Sequence, residues 1–182
     1  MDNILKKVLY FTNNQKVLYF LLEHMGKEYY DRQISKLAGV SSAGANFALR
    51  ELVKAGLVKR EKRGRMLFYW LEQKSTFIKY LKLIQNMVLL QPLIDKLIPL
   101  SLRLILYGSA SKGENRIGSD FDIFVLTRDT KEVKRTIFES DLRKRIQYIV
   151  NTPNEFAKLK KKSAVFYKEI SEGIILWEEK KI

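Results

Sequence analysis

One stretch constrains this chain more than any other. Leu102-Arg103-Leu104-Ile105-Leu106-Tyr107 reads as a strand by its apolar content, and it runs into Gly108-Ser109. A short polar, helix-like stretch follows through Ala110, Ser111 and Lys112 to Gly113. After a loop comes Ser119-Asp120-Phe121-Asp122-Ile123-Phe124-Val125-Leu126. It alternates acid with apolar residue and then turns wholly apolar, the pattern of a central strand.

On a strand, Asp120 and Asp122 point to one face, with about 6.5–7 Å between their Cα atoms. Carboxylates held side by side repel, and a shared proton or a divalent cation relieves them. Phe121 and Ile123 then face the buried side. Gly108-Ser109 sits where a strand becomes a helix. Free backbone N–H groups and the helix dipole favour an anion there, and the missing side chain of Gly108 lets a phosphate come close. A phosphate cradle beside a carboxylate pair is what metal-dependent phosphoryl or nucleotidyl transfer requires.

At these residues the sequence resembles the nucleotidyltransferases of the DNA polymerase beta type, and among them the small, minimal ones. Their pattern is a hydrophobic residue, Gly, Gly or Ser, a spacer of about nine to thirteen, then Asp, hydrophobic, Asp or Glu, hydrophobic. Tyr107-Gly108-Ser109, ten residues, then Asp120-Phe121-Asp122-Ile123 matches throughout. Lys112 stands where an Arg is common in that family's loop, and Ser119 precedes the first acid. The resemblance extends weakly through YIVNTPNEFAKL and FYKEISEGIILWE to Trp177. It implies an α+β fold with a small mixed sheet and transfer of a nucleoside monophosphate from a nucleoside triphosphate to a hydroxyl, with a partner protein among the possible acceptors. Gly108, Ser109, Lys112 and Ser119 would then bind nucleotide, and Asp120 and Asp122 would be the catalytic ligands of Mg2+ or Mn2+. The family usually carries a third carboxylate on a later strand. Here that strand is Arg145 to Val150, and the position expected to be acidic is Gln147. An amide is no general base and a poorer ligand for a hard cation. Asp141 falls before that strand and Glu155 after it.

The first 75 residues follow another pattern. Thr12-Asn13-Asn14 offers an N-cap for an apolar-rich helix running to about Met25. Asp31 caps a second helix, with Ile34, Leu37 and Ala38 inward and Gly39 as its stop. Ser41-Ser42 caps a third, Ala43 to about Ala55, whose apolar face is Ala45, Ala48, Leu49, Leu52 and Val53. Leu57 to Arg60 and Met66 to Leu71 read as strands joined by a basic turn, Lys62-Arg63-Gly64-Arg65. Residues 10–72 resemble a winged helix-turn-helix. The resemblance implies that Ser42, Asn46 and Arg50 face duplex DNA, with Lys62, Arg63 and Arg65 in the wing. Asn and Arg can reach base edges, and cations at a hairpin tip neutralise phosphates. Gly44, inside the third helix, either permits a close backbone approach or marks a weak first turn. The expected organisation is a winged helix-turn-helix over 1–75, a helical connector over 76–99 in which Pro92 opens a new helix, and a nucleotidyltransferase-like domain over 100–182. The Lys79/Lys82 face of the connector is expected to be solvated.

The 182 residues carry a formal charge of +14. Residues 1–75 hold 14 Lys and Arg against 7 Asp and Glu, residues 76–182 hold 20 against 13, so each part is +7. Such a balance suits nucleic acid or nucleotide phosphates, or a merely Lys-rich, soluble surface. The absence of cysteine excludes disulfides, thiolate zinc sites and a Cys nucleophile. His24, the one histidine, reads as a partly exposed helix end rather than a ligand. Lys158 and Lys160 to Lys162 read as a solvated helix end, and Trp70 and Trp177 as core or interface aromatics. No secretory signal is visible. Phe77 to Leu106 is too charged to span a bilayer, so a cytoplasmic protein without a membrane partner is expected. Three functions stay open. One is a magnesium-dependent nucleotidyltransferase carrying a DNA-binding domain. The second is a dimeric DNA-binding regulator whose transferase domain is degenerate or only senses nucleotide. The third is an interaction protein that forms a homodimer through its Leu-rich connector.

Overall fold

The computed structural model of the chain describes residues 4–179. Its contacts separate into two units, Met1–Leu89 and Leu90–Ile182.

The N-terminal unit begins with α1 (Ile4–Leu9), which buries none of its residues. α2 (Asn13–Glu23) starts from a reciprocal cap: Gln15 N–H donates to the Thr12 hydroxyl at 3.3 Å, and Thr12 N–H donates to Gln15 Oε1 at 3.0 Å. The two-residue strand β1 (Tyr29–Tyr30) leads into α3 (Asp31–Leu37), and Ser41 caps α4 (Ser42–Lys54) by accepting the Gly44 N–H. Val17, Phe20, Leu21, Ile34, Ala48 and Leu49 close a core between these helices. β2 (Val58–Arg63) and β3 (Met66–Leu71) form an antiparallel hairpin, and β1 pairs on the other side of β3. Three helices and this hairpin make a winged helix-turn-helix.

Several local expectations are corrected here. The hairpin turn is only Gly64-Arg65, because Arg63 still pairs with Met66. Gly64, with φ +63°, takes the first central position of a two-residue loop, where a type II′ turn demands glycine. Leu37 points outward, 56 % exposed; only Ile34 and Ser35 of α3 are buried. At Gly44 no backbone comes close: a Cβ there would lie 2.5 Å from Nδ2 of the exposed Asn13 side chain, which would have to swing aside. Pro92 opens no helix. It lies inside one continuous helix, α5 (Thr76–Leu97), within which the boundary between the two units falls. An interior proline costs about 3 kcal/mol. Burying Leu90, Leu93, Ile94 and Leu97 is worth roughly 1.5–3 kcal/mol each, which carries the helix through. Lys82 is not solvated either. At 3 % exposure its ammonium donates to Leu22 O (2.8 Å) and Gln85 Oε1 (3.0 Å), meeting a carbonyl at the negative end of α2.

The C-terminal unit is built on a four-stranded mixed sheet in the order β6-β5-β4-β7. β4 (Arg103–Tyr107) ends in the single-turn helix α6 (Gly108–Ser111), and β5 (Phe121–Leu126) returns antiparallel to it. α7 (Thr130–Phe138) connects β5 to its parallel neighbour β6 (Ile146–Asn151). Then α8 (Pro153–Lys162) and α9 (Ala164–Ser171) lead to β7 (Ile174–Glu178), antiparallel to β4. The architecture is α+β. Phe121, Ile123, Phe124 and Val125 are fully buried, as a central strand requires. Ile170 of α9 packs with Ile105, Tyr107 and Phe124, and the Phe166 ring lies 5.8 Å from that of Tyr107. Trp177, on the edge strand β7, is 36 % exposed. Among the described residues no helix is long and apolar enough to cross a membrane.

Candidate functional site

β5 lies between β4 and β6, so its register fixes the neighbours of Asp122. Tyr107 stands opposite it on β4 and Gln147 beside it on β6. Asp120 falls just before the strand begins, and its Oδ2 accepts a 2.8 Å hydrogen bond from Gln147 Nε2. Gly108 has φ +66°, and a Cβ built on it would collide with Asp122 Oδ2. The glycine-serine bend and the acidic segment therefore meet, and only glycine fits at the meeting point.

The electrostatics show crowded negative charge. Burial raises the pKa of the half-buried Asp122, with the Glu169 carboxylate as the next cause and Asp120 after it. Tyr107 is pushed up to about 12 by burial, then by Asp122 and Glu169. Glu169 is the residue that sequence reading missed. It lies on α9, three positions after Phe166, so both occupy the helix face that meets Tyr107. No strand pattern marks it. Its only signal is that spacing, which has meaning once Tyr107 and Asp122 are known to be cross-strand partners.

The other expected residues divide. Gln147 stands beside both acids, at the position where a third carboxylate was expected. Asp141 is exposed ahead of β6, and Glu155 caps α8 through Thr152, so neither joins the pair. Ser109 and Lys112 are exposed, on the bend and just after it. Ser119 closes the loop: its hydroxyl accepts the Arg116 N–H and its own N–H donates to Arg116 O, both at 3.0 Å. The helix after the bend is one turn long, so the dipole expected to attract an anion is small, and individual N–H groups remain as donors. Among the described residues no three acids or histidines gather into a group able to hold a metal ion. The donor set is a pair. Two hard oxygen donors whose mutual repulsion a cation would relieve fit a divalent ion that takes its remaining ligands from phosphate and water.

In the N-terminal unit, Ser42, Asn46 and Arg50 follow one another at four-residue steps on the exposed face of α4, opposite the buried Ala45, Ala48, Leu49 and Leu52. Asn46 Nδ2 donates to Ser42 O at 3.2 Å. Phe47, 57 % exposed, lies on the same helix. In the wing, Lys62 and Arg65 are exposed. Arg63 is different. Its guanidinium is ion-paired to Glu28 and Glu61, each at 2.5 Å, which raises its pKa, and it lies over the Phe68 ring. The Glu28 partner, 35 residues away in sequence, was not foreseeable from the basic turn.

Residues 101–182 match the family described as polymerase beta, nucleotidyltransferase. Two solved structures from Sulfolobus solfataricus are similar at 16% identity. Sso10a-2, a DNA-binding protein, has a TM-score of 0.32, over 46% of this chain and 93% of that one. A candidate nucleotidyltransferase has a TM-score of 0.37, over 57% of this chain and 89% of that one. No curated protein matches in sequence.

Proposed function

We propose that this chain, whose residues 101–182 form a nucleotidyltransferase domain of the polymerase beta type, transfers a nucleoside monophosphate from a nucleoside triphosphate to a hydroxyl acceptor, and that its winged helix binds duplex DNA. The observation that carries the first part is the meeting of Gly108 with the Asp122 carboxylate, next to Asp120. Asp120 and Asp122 would hold Mg2+ or Mn2+, which when bound neutralises phosphate charge. The Gly108-Ser109 backbone receives phosphate, and Lys112 adds a cation to its rim. Gln147 fixes the carboxylate of Asp120 by donating to it. Ser119 serves the nucleotide indirectly, by holding the loop between the bend and the acids.

In such a transfer the acceptor oxygen bonds to the α-phosphorus, the bond to pyrophosphate breaks, and the hydroxyl proton leaves. Gln147 cannot take that proton. Glu169, whose carboxylate acts electrostatically on Asp122 and Tyr107, is assigned that role. The test is incubation of the full chain with α-labelled nucleoside triphosphates, Mg2+ or Mn2+, and acceptors of three kinds: protein, nucleic acid and small polyol. Metal-dependent incorporation that Asp122→Asn abolishes and Glu169→Gln slows supports the reading. Incorporation that survives Asp122→Asn refutes it.

A second reading is favoured by Gln147 itself. An amide at this place leaves a binding site without a base on the strand, as a nucleotide-sensing DNA regulator requires. Metal-dependent nucleotide binding without incorporation, together with a change in duplex affinity on adding nucleotide, selects it. For DNA, the support is the exposed Ser42, Asn46 and Arg50 face and the cations Lys62 and Arg65 at the wing.

A further inference from the structure

α4 carries two faces of different chemistry. Ala45, Ala48, Leu49 and Leu52 are buried. Ala43, Asn46, Phe47 and Arg50 recur at helical spacing, so they share one exposed stripe on the opposite side. Phe47 is 57 % exposed within that stripe. Among the described residues its ring meets no other ring and no cation, so the free chain gives it neither kind of partner.

A single exposed apolar side chain is ordinary on a protein surface. This one is distinguished by its neighbours. The exposed charges of α4 are Arg50 and Lys54 against Glu51, and Lys62 and Arg65 lie exposed on the wing. Residues 1–75 hold 14 Lys and Arg against 7 Asp and Glu. That frame is complementary to a polyanion and not to an apolar protein surface.

Duplex DNA offers an aromatic side chain few places to rest. Phosphates are charged, and base edges are hydrogen-bonding groups that an apolar ring would strip of water. The exception is the C5-methyl group of thymine, which projects into the major groove.

We propose that Phe47 is a base-reading residue whose ring packs on the methyl group of thymine, so that α4 selects an A·T pair at that position. The inference rests on the duplex-binding reading above and adds to it which base is read. Asn46, the preceding residue of the stripe, favours the same kind of pair. Its Nδ2 donates to Ser42 O at 3.2 Å, which leaves Oδ1 and one N–H. An acceptor beside a donor is what the N6/N7 edge of adenine takes. A G·C pair would instead set the cytosine amino group, with no methyl beside it, near the Phe47 ring.

The test begins with selection of duplexes that bind the full chain from a random-sequence pool. One salt concentration is kept throughout, because the phosphate contribution changes steeply with salt. Each thymine of a selected duplex is then replaced by deoxyuridine, which removes the methyl and keeps every hydrogen-bonding group. The expected result is at least one thymine whose replacement weakens binding about fourfold, the loss for one methyl leaving an apolar contact. Phe47→Ala, at an exposed position, keeps its melting temperature and binds the two duplexes alike. Phe47→Leu retains part of the difference. The proposal is overturned if the parent binds thymine and uracil duplexes equally at every position, or if the difference survives in Phe47→Ala. In either case duplex binding itself stands. If no duplex is selected at all, the duplex-binding reading falls and this inference falls with it. A scattering mass that drops in Phe47→Ala, with thymine and uracil bound alike, assigns the ring to contact with a second copy and also overturns the proposal.

Discussion

The carboxylate of Asp122 occupies the space in which a side chain on Gly108 would begin. Position 108 must therefore be glycine for two reasons, since its φ of +66° also disfavours any other residue. Gly108→Ala forces either the bend or the acid to move. The left-handed backbone alone costs roughly 1–2 kcal/mol, and the collision adds to it. The expected outcome is a lower melting temperature and loss of metal-dependent nucleotide binding, read by calorimetry. Ser109→Ala, at an exposed position, is expected to leave the melting temperature unchanged.

Asp122 is expected to behave as a strained acid. Its pKa is raised in the folded chain, so the metal-free fold binds its proton more tightly than the unfolded chain does. The corresponding stability is fully present below the ordinary carboxylate range and is lost as pH rises through the raised value. Urea titrations of the metal-free protein across the acidic range should show that loss. Asp122→Asn should flatten it, and at neutral pH the variant should be at least as stable as the parent. Cation binding should strengthen as pH rises over the same range, because the cation displaces the proton.

Gln147→Glu places a carboxylate beside Asp122 and replaces the amide that donates to Asp120. In the metal-free protein it brings like charges together, and the melting temperature should fall. With Mn2+ present a third hard ligand is gained, and affinity should rise by about tenfold, roughly 1.4 kcal/mol, read by isothermal titration. An unchanged metal affinity would show that residue 147 lies outside the cation's reach.

The wing cations should not be equivalent. Arg65 is exposed, whereas Arg63 must leave Glu28 and Glu61 before it can meet a phosphate. Arg65→Ala is expected to reduce the salt dependence of duplex binding by about 0.9 in log–log slope. Arg63→Ala should reduce it by less, while freeing Glu28 and Glu61 at the hairpin. Fluorescence anisotropy between low and moderate salt would separate the two.

Much of this architecture was legible because its signals are local. The alternation from Asp120 to Leu126, the glycine stops after α3 and α4, and the caps at Thr12 and Ser41 are each written within a few residues. Gln147 was placed by counting along one strand, and parallel pairing with β5 brings it beside Asp122. What escaped depends on contacts between distant segments. Lys82 looks like a surface lysine until the end of α2 arrives 60 residues away in sequence. Arg63 looks like a phosphate ligand until Glu28 is brought beside it. Pro92 ends helices in isolation, yet burial of the residues around it outweighs the broken ladder. Glu169 sits on a short helix whose face is set by packing of Phe166 and Ile170, which no periodicity within α9 reveals.

The central claim is that Asp120, Asp122 and the Gly108-Ser109 bend form one site for a cation and a nucleotide. Titrating a nucleoside triphosphate into the full chain with and without Mg2+, and repeating it with Asp120→Asn/Asp122→Asn, tests this directly. Binding that requires the metal in the parent and disappears in the double variant, while the variant keeps its fold by circular dichroism, is the predicted result. Binding of equal strength without metal, or in the folded double variant, would contradict the claim.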